Sequence, residues 1–490
     1  MIYIVNPSYR FLKDKNRVIL HSVDRINDNH SEISFWGIIH PLHAQMFSFF
    51  NGENNLENVL FEISKHFNLS YDYIKALIPQ FINNTQRVNI TYKERTITFP
   101  RFFLIEKKQN IEYIKYNASD FNFSGNVDLF EMRLSVPHSI MLILTMNCYT
   151  NCQYCYAKKN LKTTNALTTK RIIDLIHEAS EIGVSNFDLN GGEIILHKDC
   201  YEIISEMISC GYDPYISTKV PLNKSQIDHL VEIGIKNIQI SIDSLETNYV
   251  KDILHVNSNY IQLITEMLYL LESKKINVIV NTIINKNNSD INQINRLVVF
   301  LSKYKNIVEI NFTNATYSIY RPAENFERIK TSMSFLNLLS TRIEEFKNKY
   351  PRIHFYYSFS NLYNEFRNSS AFKKRGFCSG NLNSLVILPD GKVTICEELY
   401  DNPNFIIGDA STESITDIWN SKKANDLHTL NCTDYFKDTI CERCEDYAIC
   451  RQLHKVCWRE VIAAYGEDKW NYPSPLCPKS PMPINDIYIK

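Results

Sequence analysis

Apolar and polar residues alternate along this chain with different periods, and the first pattern runs from residue 1 to about residue 95. The segments "MIYIVNPSYRFL" and "NRVILHS" have the pattern of short strands. The segment "LENVLFEISKHF" has the period of a helix, with one apolar face formed by Leu56, Val59, Leu60 and Ile63. The segments "RVNITY" and "RTITF" predict a closing hairpin. Strands, helices and hairpin in this order predict a winged-helix-like domain over residues 1–95.

A second helix of this domain is predicted over "SYDYIKALIPQFINN", where Ser70 is a suitable N-cap. Its apolar face is formed by Ile74, Leu77, Ile78 and Phe81. Pro79 would kink this helix or end it early, because proline has no backbone N–H to donate. Residues 96–137 have no clear periodicity, and we interpret them as a linker.

From residue 138 to residue 349, apolar strand patterns alternate with amphipathic helix patterns. One such helix is "TTKRIIDLIHEASEIG", which starts at a threonine cap and ends on a glycine. Six βα units in series predict an α/β fold with an open or closed parallel barrel, which a last helix, "SFLNLLSTRIEEFKNKY", closes. Active sites of such barrels lie at the C-terminal ends of the strands. The predicted strands are "SIMLIL", "NFDLN", "PYIST", "NIQISID", "NVIVNT" and "VEINFT".

Composition adds constraints on location and partners. The 53 basic residues balance the 54 acidic residues, so no overall charge favours nucleic acid or an acidic membrane. We find no apolar run long enough to span a bilayer and no secretion signal at the N-terminus, and we therefore expect a cytoplasmic protein. In that reducing compartment, the 13 cysteines indicate metal binding more than disulfides. Residues 350–490 form a third, cysteine-dense unit.

Three cysteines follow the first predicted barrel strand: Cys148, Cys152 and Cys155, in "NCYTNCQYCYAKKN". Three thiolates on a four-iron cluster leave one iron open to a small molecule. Two alternatives remain: a zinc site completed by a distant Cys or His, and three simply buried cysteines.

This spacing resembles the hallmark of the radical S-adenosylmethionine (SAM) enzymes, and Tyr154 supplies the aromatic residue that is typical before the last cysteine. The resemblance implies that the barrel is a partial (β/α)6, TIM-like barrel. It also implies a [4Fe–4S] cluster whose open iron is chelated by the amine and carboxylate of SAM. It also implies reductive cleavage of SAM to a 5′-deoxyadenosyl radical, which takes a hydrogen atom from the substrate. An external flavodoxin or ferredoxin would supply the electron.

The same resemblance implies further residues that contact SAM. The alternative for each of them is an ordinary polar residue at a strand end or in a turn. The glycines of "NGGE" would let the backbone approach the methionine end of SAM. Relatives often have an arginine shortly after the fourth strand, where this chain offers only His255. The source of positive charge for the SAM carboxylate is therefore open. The implied SAM-binding residues are Tyr154, Gly191, Gly192, Glu193, Thr218, Ser241, Asp243 and Arg321.

The C-terminal cysteines resemble the SPASM extension of radical SAM enzymes that modify peptides and proteins, and "PDGKVTIC" and "CERCEDYAIC" carry this resemblance. It implies two auxiliary [4Fe–4S] clusters, and three clusters in the whole chain. The inner cluster lacks an assigned fourth ligand, which could be Cys432, a substrate thiol or nothing. His454 is the alternative to Cys457, and a pair of structural zinc ribbons is the alternative to both clusters. The implied ligands are Cys441, Cys444, Cys450 and Cys477 for the outer cluster, and Cys378, Cys396 and Cys457 for the inner one.

A winged-helix-like domain ahead of such a core resembles the PqqD-like recognition element of enzymes that mature ribosomally synthesised peptides. The resemblance implies that a precursor's leader adds a strand to this domain. The expected function is a cross-link in that precursor, foremost a cysteine thioether of the sactipeptide or ranthipeptide type. The alternatives are carbon–carbon or carbon–oxygen cross-linking, an anaerobic sulfatase-maturating type of protein oxidase, and a non-catalytic zinc-stabilised winged-helix regulator. No nucleic acid or membrane partner is expected.

Overall fold

The computed structural model describes residues 1–23, 31–32, 35–92, 95–109, 111–157, 165–360, 372, 375, 378–453 and 455–489. The chain divides into two compact units, Met1–Ser135 and Val136–Lys490. Each unit has a hydrophobic core of its own. Within the described residues, no helix combines the length and the apolar character needed to cross a membrane.

The described part of the first unit consists of small antiparallel sheets and three α-helices. Strands β2, β3 and β4 form a three-stranded sheet, β5 and β6 form a hairpin, and β1 pairs with β7. The strands are β1 (Tyr3–Val5), β2 (Tyr9–Asp14), β3 (Arg17–Ser22), β4 (Trp36–Ile39), β5 (Val88–Tyr92), β6 (Arg95–Phe99) and β7 (Leu104–Glu106). The helices are α1 (Pro41–Ser48), α2 (Leu56–Phe67) and α3 (Tyr71–Leu77).

Local sequence explains where these helices begin and end. Helix α2 begins after Asn55, whose side chain accepts a hydrogen bond from the Asn58 N–H, and it buries Val59, Leu60 and Ile63 as predicted. Ser70 caps α3 in the same way. The helix ends at Leu77, and a 3-10 turn containing Pro79 follows it. The early end predicted from this proline is confirmed.

Residues 96–135 are part of the first unit, and the prediction of a linker over 96–137 is wrong for them. Phe99, Phe103 and Leu104 are fully buried, and Phe121 is nearly so. The first three of these lie in or beside short strands, and Phe121 ends a single 3-10 turn. Elements this short contain too few residues for a hydrophobic period to be recognised. The aromatic residues were the sequence feature that could have indicated a folded segment.

The second unit contains the predicted series of parallel strands and helices, and all six predicted strands are confirmed. They are β8 (Ser139–Thr145), β9 (Asn186–Gly191), β10 (Ser217–Thr218), β11 (Asn237–Ser241), β12 (Asn277–Ile284) and β13 (Ile307–Asn314). The helices are α4 (Thr169–Glu181), α5 (Cys200–Ser209), α6 (Lys224–Glu232), α7 (Thr247–Asp252), α8 (Tyr260–Ser273), α9 (Ile291–Leu301), α10 (Ala323–Ile329) and α11 (Met333–Lys349).

The sheets of this unit continue past residue 349, where the sequence predicted the barrel to end. Strand β14 (His354–Ser358) pairs in parallel with β13. Strand β15 (Ser384–Ile387) pairs in parallel with β8, and β16 (Lys392–Thr394) and β17 (Ile406–Asp409) extend this sheet. The C-terminal stretch thus continues the sheet that contains the first barrel strand. A half-exposed strand such as β14 lacks the apolar run on which the prediction relied.

The rest of the second unit is built from short helices around large aromatic side chains. Trp419, Phe405 and Phe436 are fully buried, and Trp458 stacks on Phe436. The elements are α12 (Ile415–Trp419), α13 (Lys422–Thr429), α14 (Cys432–Tyr435), a π-helical turn (Ala448–Leu453) and α15 (Trp458–Tyr465).

Candidate active site

The loop that follows β8 brings the first three cysteines together at the C-terminal edge of the sheet. The Thr150 hydroxyl lies 3.6 Å from the Cys148 Sγ and 3.1 Å from the Cys152 Sγ. The Cys155 N–H donates to the Cys152 carbonyl at 3.2 Å. Arg321 Nε donates to the Cys155 carbonyl at 2.9 Å, so this arginine holds the loop. One short loop therefore presents all three thiols.

Gly191 and Gly192 allow the chain after β9 to pass directly under the cysteine loop. A Cβ on Gly192 would lie 2.0 Å from the Asn147 carbonyl oxygen, and a Cβ on Gly191 would lie 2.3 Å from that of Thr145. The Gly192 N–H donates to the Thr145 carbonyl at 2.7 Å. Gly191 also has a φ of +136°, which favours glycine. These glycines are needed for backbone packing, whatever ligand the cavity holds.

Glu193 and Thr218 are buried beside this crossing. Glu193 Oε2 accepts a hydrogen bond from the Lys219 backbone N–H at 3.1 Å. Burial raises the pKa of Glu193, and hydrogen bonds from the backbone and from Thr218 oppose that effect. A fixed acceptor therefore lies between β9 and β10.

A buried polar network joins three strand ends, and its cation was missed by the sequence analysis. Lys219 Nζ lies 2.8 Å from Asp243 Oδ2 and 2.7 Å from the Tyr154 hydroxyl, which itself donates to Asp243. Burial lowers the pKa of Lys219, but Asp243 and the thiols of Cys152 and Cys148 together outweigh this effect, so the pKa is raised overall. Burial first, and Asp243 second, raise the pKa of Tyr154. No local sequence pattern distinguishes Lys219, because its partner Asp243 lies 24 residues further along the chain.

A cavity of about 630 Å³ lies above these groups. Asp243 lies behind Tyr154 and Lys219 and does not line the cavity. Arg321 lines a different cavity, of about 570 Å³, and His255 lines neither. The predicted residues that do line the main cavity are Cys148, Cys152, Tyr154, Cys155, Gly191, Gly192, Glu193, Thr218 and Ser241.

The distances between the sulfur atoms of Cys148, Cys152 and Cys155 fit a metal cluster better than a single metal ion. Among the residues that the structure describes, one set of three potential metal-ligand atoms lies within 4.8 Å of one another, namely His177, Glu206 and Cys210 at α4 and α5. The sulfurs at 148, 152 and 155 do not form such a set. One tetrahedral zinc ion needs sulfur ligands about 4 Å apart. The donor set therefore fits a larger iron–sulfur group.

A second cavity, of about 620 Å³, opens beside the first, and the two share part of their lining. Its other wall comes from the C-terminal stretch, including Leu388, Tyr400 and Ile406. The shared residues are Met146, Tyr156, Ala157, Gly191 and Glu397. A molecule in the second cavity would thus have direct access to the space beside the cysteine loop.

Two carboxylates missed by the sequence analysis lie at this junction, directly after Cys396. Glu397 accepts hydrogen bonds from Asn190 Nδ2 at 2.6 Å and from the Tyr156 hydroxyl at 3.2 Å. Glu398 pairs with Arg459 at 2.9 Å. An acidic pair beside a candidate ligand cysteine was the signal that could have drawn attention to them.

The seven C-terminal cysteines for which the sequence suggested a ligand role lie in two groups. Cys441, Cys444, Cys450 and Cys477 line one small cavity, and we call them the outer set. Cys378 interacts electrostatically with both Cys396 and Cys457, and we call these three the inner set. Cys432 interacts with Tyr447, which lines the cavity of the outer set. His454, the alternative to Cys457, lies outside the described residues.

Comparison with known proteins identifies two domains. Residues 142–301 match the radical SAM superfamily, and residues 378–445 match the SPASM iron–sulfur cluster-binding domain. The two matched regions thus contain the first three cysteines and four of the seven cysteines of the inner and outer sets, namely Cys378, Cys396, Cys441 and Cys444. Radical SAM domains are enzyme domains, which excludes the non-catalytic regulator.

Solved structures share the fold over nearly the whole chain. Streptococcus suis SuiB bound to S-adenosylmethionine superposes with a TM-score of 0.63 at 15% identity, over 97% of this chain and 99% of that one. SuiB bound to its precursor peptide SuiA gives a TM-score of 0.60 at 16% identity, over 97% of this chain and 100% of that one.

Curated relatives match shorter regions. The GTP 3′,8-cyclase of Staphylococcus epidermidis (strain ATCC 35984) is 25% identical over 44% of this chain and 66% of its own length. The PqqA peptide cyclase of Methylocella silvestris is 32% identical over 22% of this chain and 30% of its own length. The chain thus spans between 30% and 66% of the length of these relatives.

Proposed function

We propose that this chain, an enzyme with a radical SAM domain and a SPASM domain, installs a cross-link in a ribosomally synthesised precursor peptide. The observation that carries the proposal is the junction of the two cavities at Tyr156, Gly191 and Glu397. The second cavity is large enough for several side chains of an extended peptide. The likeness in fold to SuiB, which has been solved with a precursor peptide, supports a peptide substrate.

Cys148, Cys152 and Cys155 would hold the SAM-binding [4Fe–4S] cluster of this enzyme. When bound, the cluster and SAM together supply one-electron chemistry that removes a hydrogen atom from an unactivated C–H bond. The chain's own residues position these groups. Thr150 donates or accepts a hydrogen bond at two of the sulfurs, and Arg321 fixes the carbonyl of the third cysteine. A flavodoxin or ferredoxin in the cytoplasm would be the electron donor.

Lys219 is the cation that we assign to the SAM carboxylate, for which no arginine was found. Its side chain is 13% exposed, and it lines the cavity that contains the cysteine loop. Asp243 and Tyr154 fix two of its three possible N–H donors, which leaves one donor for a carboxylate. Glu193, Thr218 and Ser241 line the same cavity and would contact the rest of SAM.

A cysteine thioether is the cross-link that we favour, because the inner set offers three sulfurs for a group that takes four. A substrate thiolate would complete the inner set, and metal binding would lower the pKa of that thiol. The thiolate would then be held close to the substrate carbon that loses its hydrogen atom.

The first unit would recognise the leader of the precursor. Its β2–β3–β4 sheet has two edges, and a leader segment in extended conformation would add a strand to one of them. A chain that lacks residues 1–135 should retain SAM cleavage with a chemical reductant, because the second unit has its own core. It should lose processing of the leader-bearing peptide. Equal processing with and without these residues would contradict this role.

The central experiment uses the enzyme purified and reconstituted without oxygen, and peptides encoded by short reading frames beside its gene. We expect 5′-deoxyadenosine to form and one peptide to lose two hydrogen atoms, as seen by mass spectrometry. The Cys148→Ala, Cys152→Ala, Cys155→Ala variant should do neither while remaining folded. A folded triple variant that still makes 5′-deoxyadenosine would refute the assignment of the cluster, and unchanged peptide masses would refute the cross-link.

A further inference from the structure

Three cationic side chains reach the sulfur atoms of the outer set, each at a different cysteine. Arg375 Nη2 lies 3.2 Å from the Cys450 Sγ. Arg451 Nη2 lies 3.7 Å from the Cys441 Sγ, and Lys479 Nζ lies 3.7 Å from the Cys444 Sγ. Three of the four thiols therefore have a positively charged N–H donor beside them.

Arg451 is the most informative of the three, because it is buried and no carboxylate of the described residues pairs with it. Only 1% of it is exposed, and its guanidinium carbon lies 4.5 Å from the ring centroid of Phe436 and 5.2 Å from that of Trp458. Nε and Nη1 are buried and lack a hydrogen-bond partner among the described residues. A buried cation with unpaired donors is costly unless a negative group lies nearby. Four thiolates around an iron–sulfur cluster are such a group.

Arg375 shows the same pattern. Its donors bond the backbone carbonyls of Phe372, Cys450 and Lys455, and no carboxylate of the described residues forms an ion pair with it. Lys479 differs, because it lies near the solvent and also approaches Asp446 at 3.6 Å. Around the outer set there are thus two guanidinium groups that pair with no carboxylate of the described residues, and one ammonium group that lies near Asp446.

The inner set has the opposite surroundings. Glu397 and Glu398 follow Cys396 directly, and Glu460 lies three residues after Cys457. The carboxylate of Glu460 interacts with the Cys457 thiol, and that of Glu398 interacts with the Cys396 thiol. Arg459 is beside them, but Glu398 pairs with it at 2.9 Å. Among the described residues, three carboxylates therefore lie around the inner set, against two cations, Arg459 and Lys455, of which Lys455 interacts with the Cys378 thiol.

We infer that Arg375, Arg451 and Lys479 raise the reduction potential of the outer cluster above that of the inner cluster, so that the outer cluster is the final electron acceptor within the chain. A reduced cluster carries one more negative charge than an oxidised one. Positive charges and N–H donors at its sulfurs therefore stabilise the reduced form, and carboxylates disfavour it.

In the proposed cross-linking reaction one electron must leave the substrate, and the auxiliary clusters would accept it. Only this electron transfer rests on the proposed function. Forming a thioether from a C–H and an S–H group removes two hydrogen atoms from the peptide. One leaves the carbon as a hydrogen atom in the SAM-dependent step. The thiol would release its proton to solvent when it binds at the inner set. The one electron left over when the C–S bond forms would be taken up by the cluster that the inner set holds and passed to the cluster that the outer set holds. An external electron carrier would reoxidise the outer cluster.

The test is a redox titration of the reconstituted full chain without peptide, followed by electron paramagnetic resonance. The wild type should show two auxiliary clusters, and the one with the higher potential should be affected by the variants. Lys479→Met and Arg451→Met should each shift its reduction equilibrium by at least about tenfold, which is about 59 mV for one electron. Arg451→Lys should retain most of the potential, because the charge remains. Lys422→Met, at a lysine that is 88% exposed, is the matched control and should shift neither cluster.

Iron content and SAM cleavage are measured on the same samples. The inference is overturned if all variants keep the wild-type potentials, if the lower-potential cluster shifts instead, or if Lys479→Met and Arg451→Met lose iron without a shift. Because the titration needs no peptide, unchanged potentials with normal cross-linking would count against this inference alone. Shifted potentials with no cross-linking of any peptide would count against the proposed function alone.

Discussion

Replacement of Lys219 by methionine removes the cation from the buried network and leaves the carboxylate of Asp243 behind. The side chain of Asp243 is fully buried, and that of Lys219 is 13% exposed. Methionine has a similar length and fills the space without charge. The main effect is therefore the loss of the partner of a buried negative charge.

The expected loss of unfolding free energy in Lys219→Met depends on the contacts that Asp243 keeps. Breaking a buried ion pair by removing one partner costs about 3–5 kcal/mol of unfolding free energy. Asp243 keeps the Ile283 N–H at 2.9 Å and the Tyr154 hydroxyl, so we expect the lower end, about 3 kcal/mol. The double variant Lys219→Met, Asp243→Asn removes both charges and should regain more than half of that loss, because no buried charge is left unpaired.

The assay is urea unfolding followed by far-ultraviolet circular dichroism and by tryptophan fluorescence. Trp419, Trp458 and Trp470 report on the second unit, and Trp36 reports on the first. Lys224→Met breaks an exposed pair with Asp228 and should leave the transition unchanged. A loss of less than about 1 kcal/mol in Lys219→Met, or a double variant no more stable than the single one, would refute the reasoning. SAM binding by Lys219→Met, measured by equilibrium dialysis, should fall as well.

Three further predictions concern pH, packing and iron content. Burial lowers the pKa of both His21 and His43 from 6.5 to about 4, so the unfolded chain binds their protons first as the pH falls. The first unit should keep its full free energy of unfolding above pH 6.5 and lose about 3 kcal/mol per histidine between pH 6.5 and 4. Unfolding measured over this pH range tests this, and the His21→Gln variant should lose less. Gly192→Ala should abolish iron binding at the cysteine loop, as seen by iron analysis, whereas Gly211→Ala, with nothing within 4 Å of its Cβ, should not. The full chain should contain about twelve irons, and a variant with alanine at all seven cysteines of the inner and outer sets should contain about four. Zinc in place of the iron that the variant loses would contradict the two auxiliary clusters.

Periodicity and motif spacing predicted much of this molecule, because they depend on residues that are close in sequence. Strands β8 and β12 contain apolar runs, strands β9, β11 and β13 alternate apolar with polar residues, and the cysteine loop lies within eight residues. Helix caps at Ser70 and Thr168 are equally local. Each of these features could be identified from a window of about a dozen residues.

The features that the sequence did not predict depend on contacts between distant residues. Pairing of β15 with β8 joins Ser384 to Ser139. The junction of the cavities depends on Glu397 meeting Tyr156 and Asn190. Lys219 was overlooked because a lysine after a strand has no special meaning until Asp243 is known to lie beside it. Such pairs leave no local pattern, since either residue alone would be ordinary.

The parallel pairing of β15 with β8 has a consequence for engineering this protein. A chimera that exchanges the cysteine-rich stretch at residue 349 would remove β14 from β13 and β15 from β8, and it would expose the N–H and C=O groups of two strand edges. One of these strands, β8, leads directly into the loop with the first three cysteines. A junction between residues 135 and 136 cuts no strand and leaves each core whole. In a chimera, the first unit can therefore be replaced by that of a related enzyme, whereas residues 136–490 should be kept together from one parent.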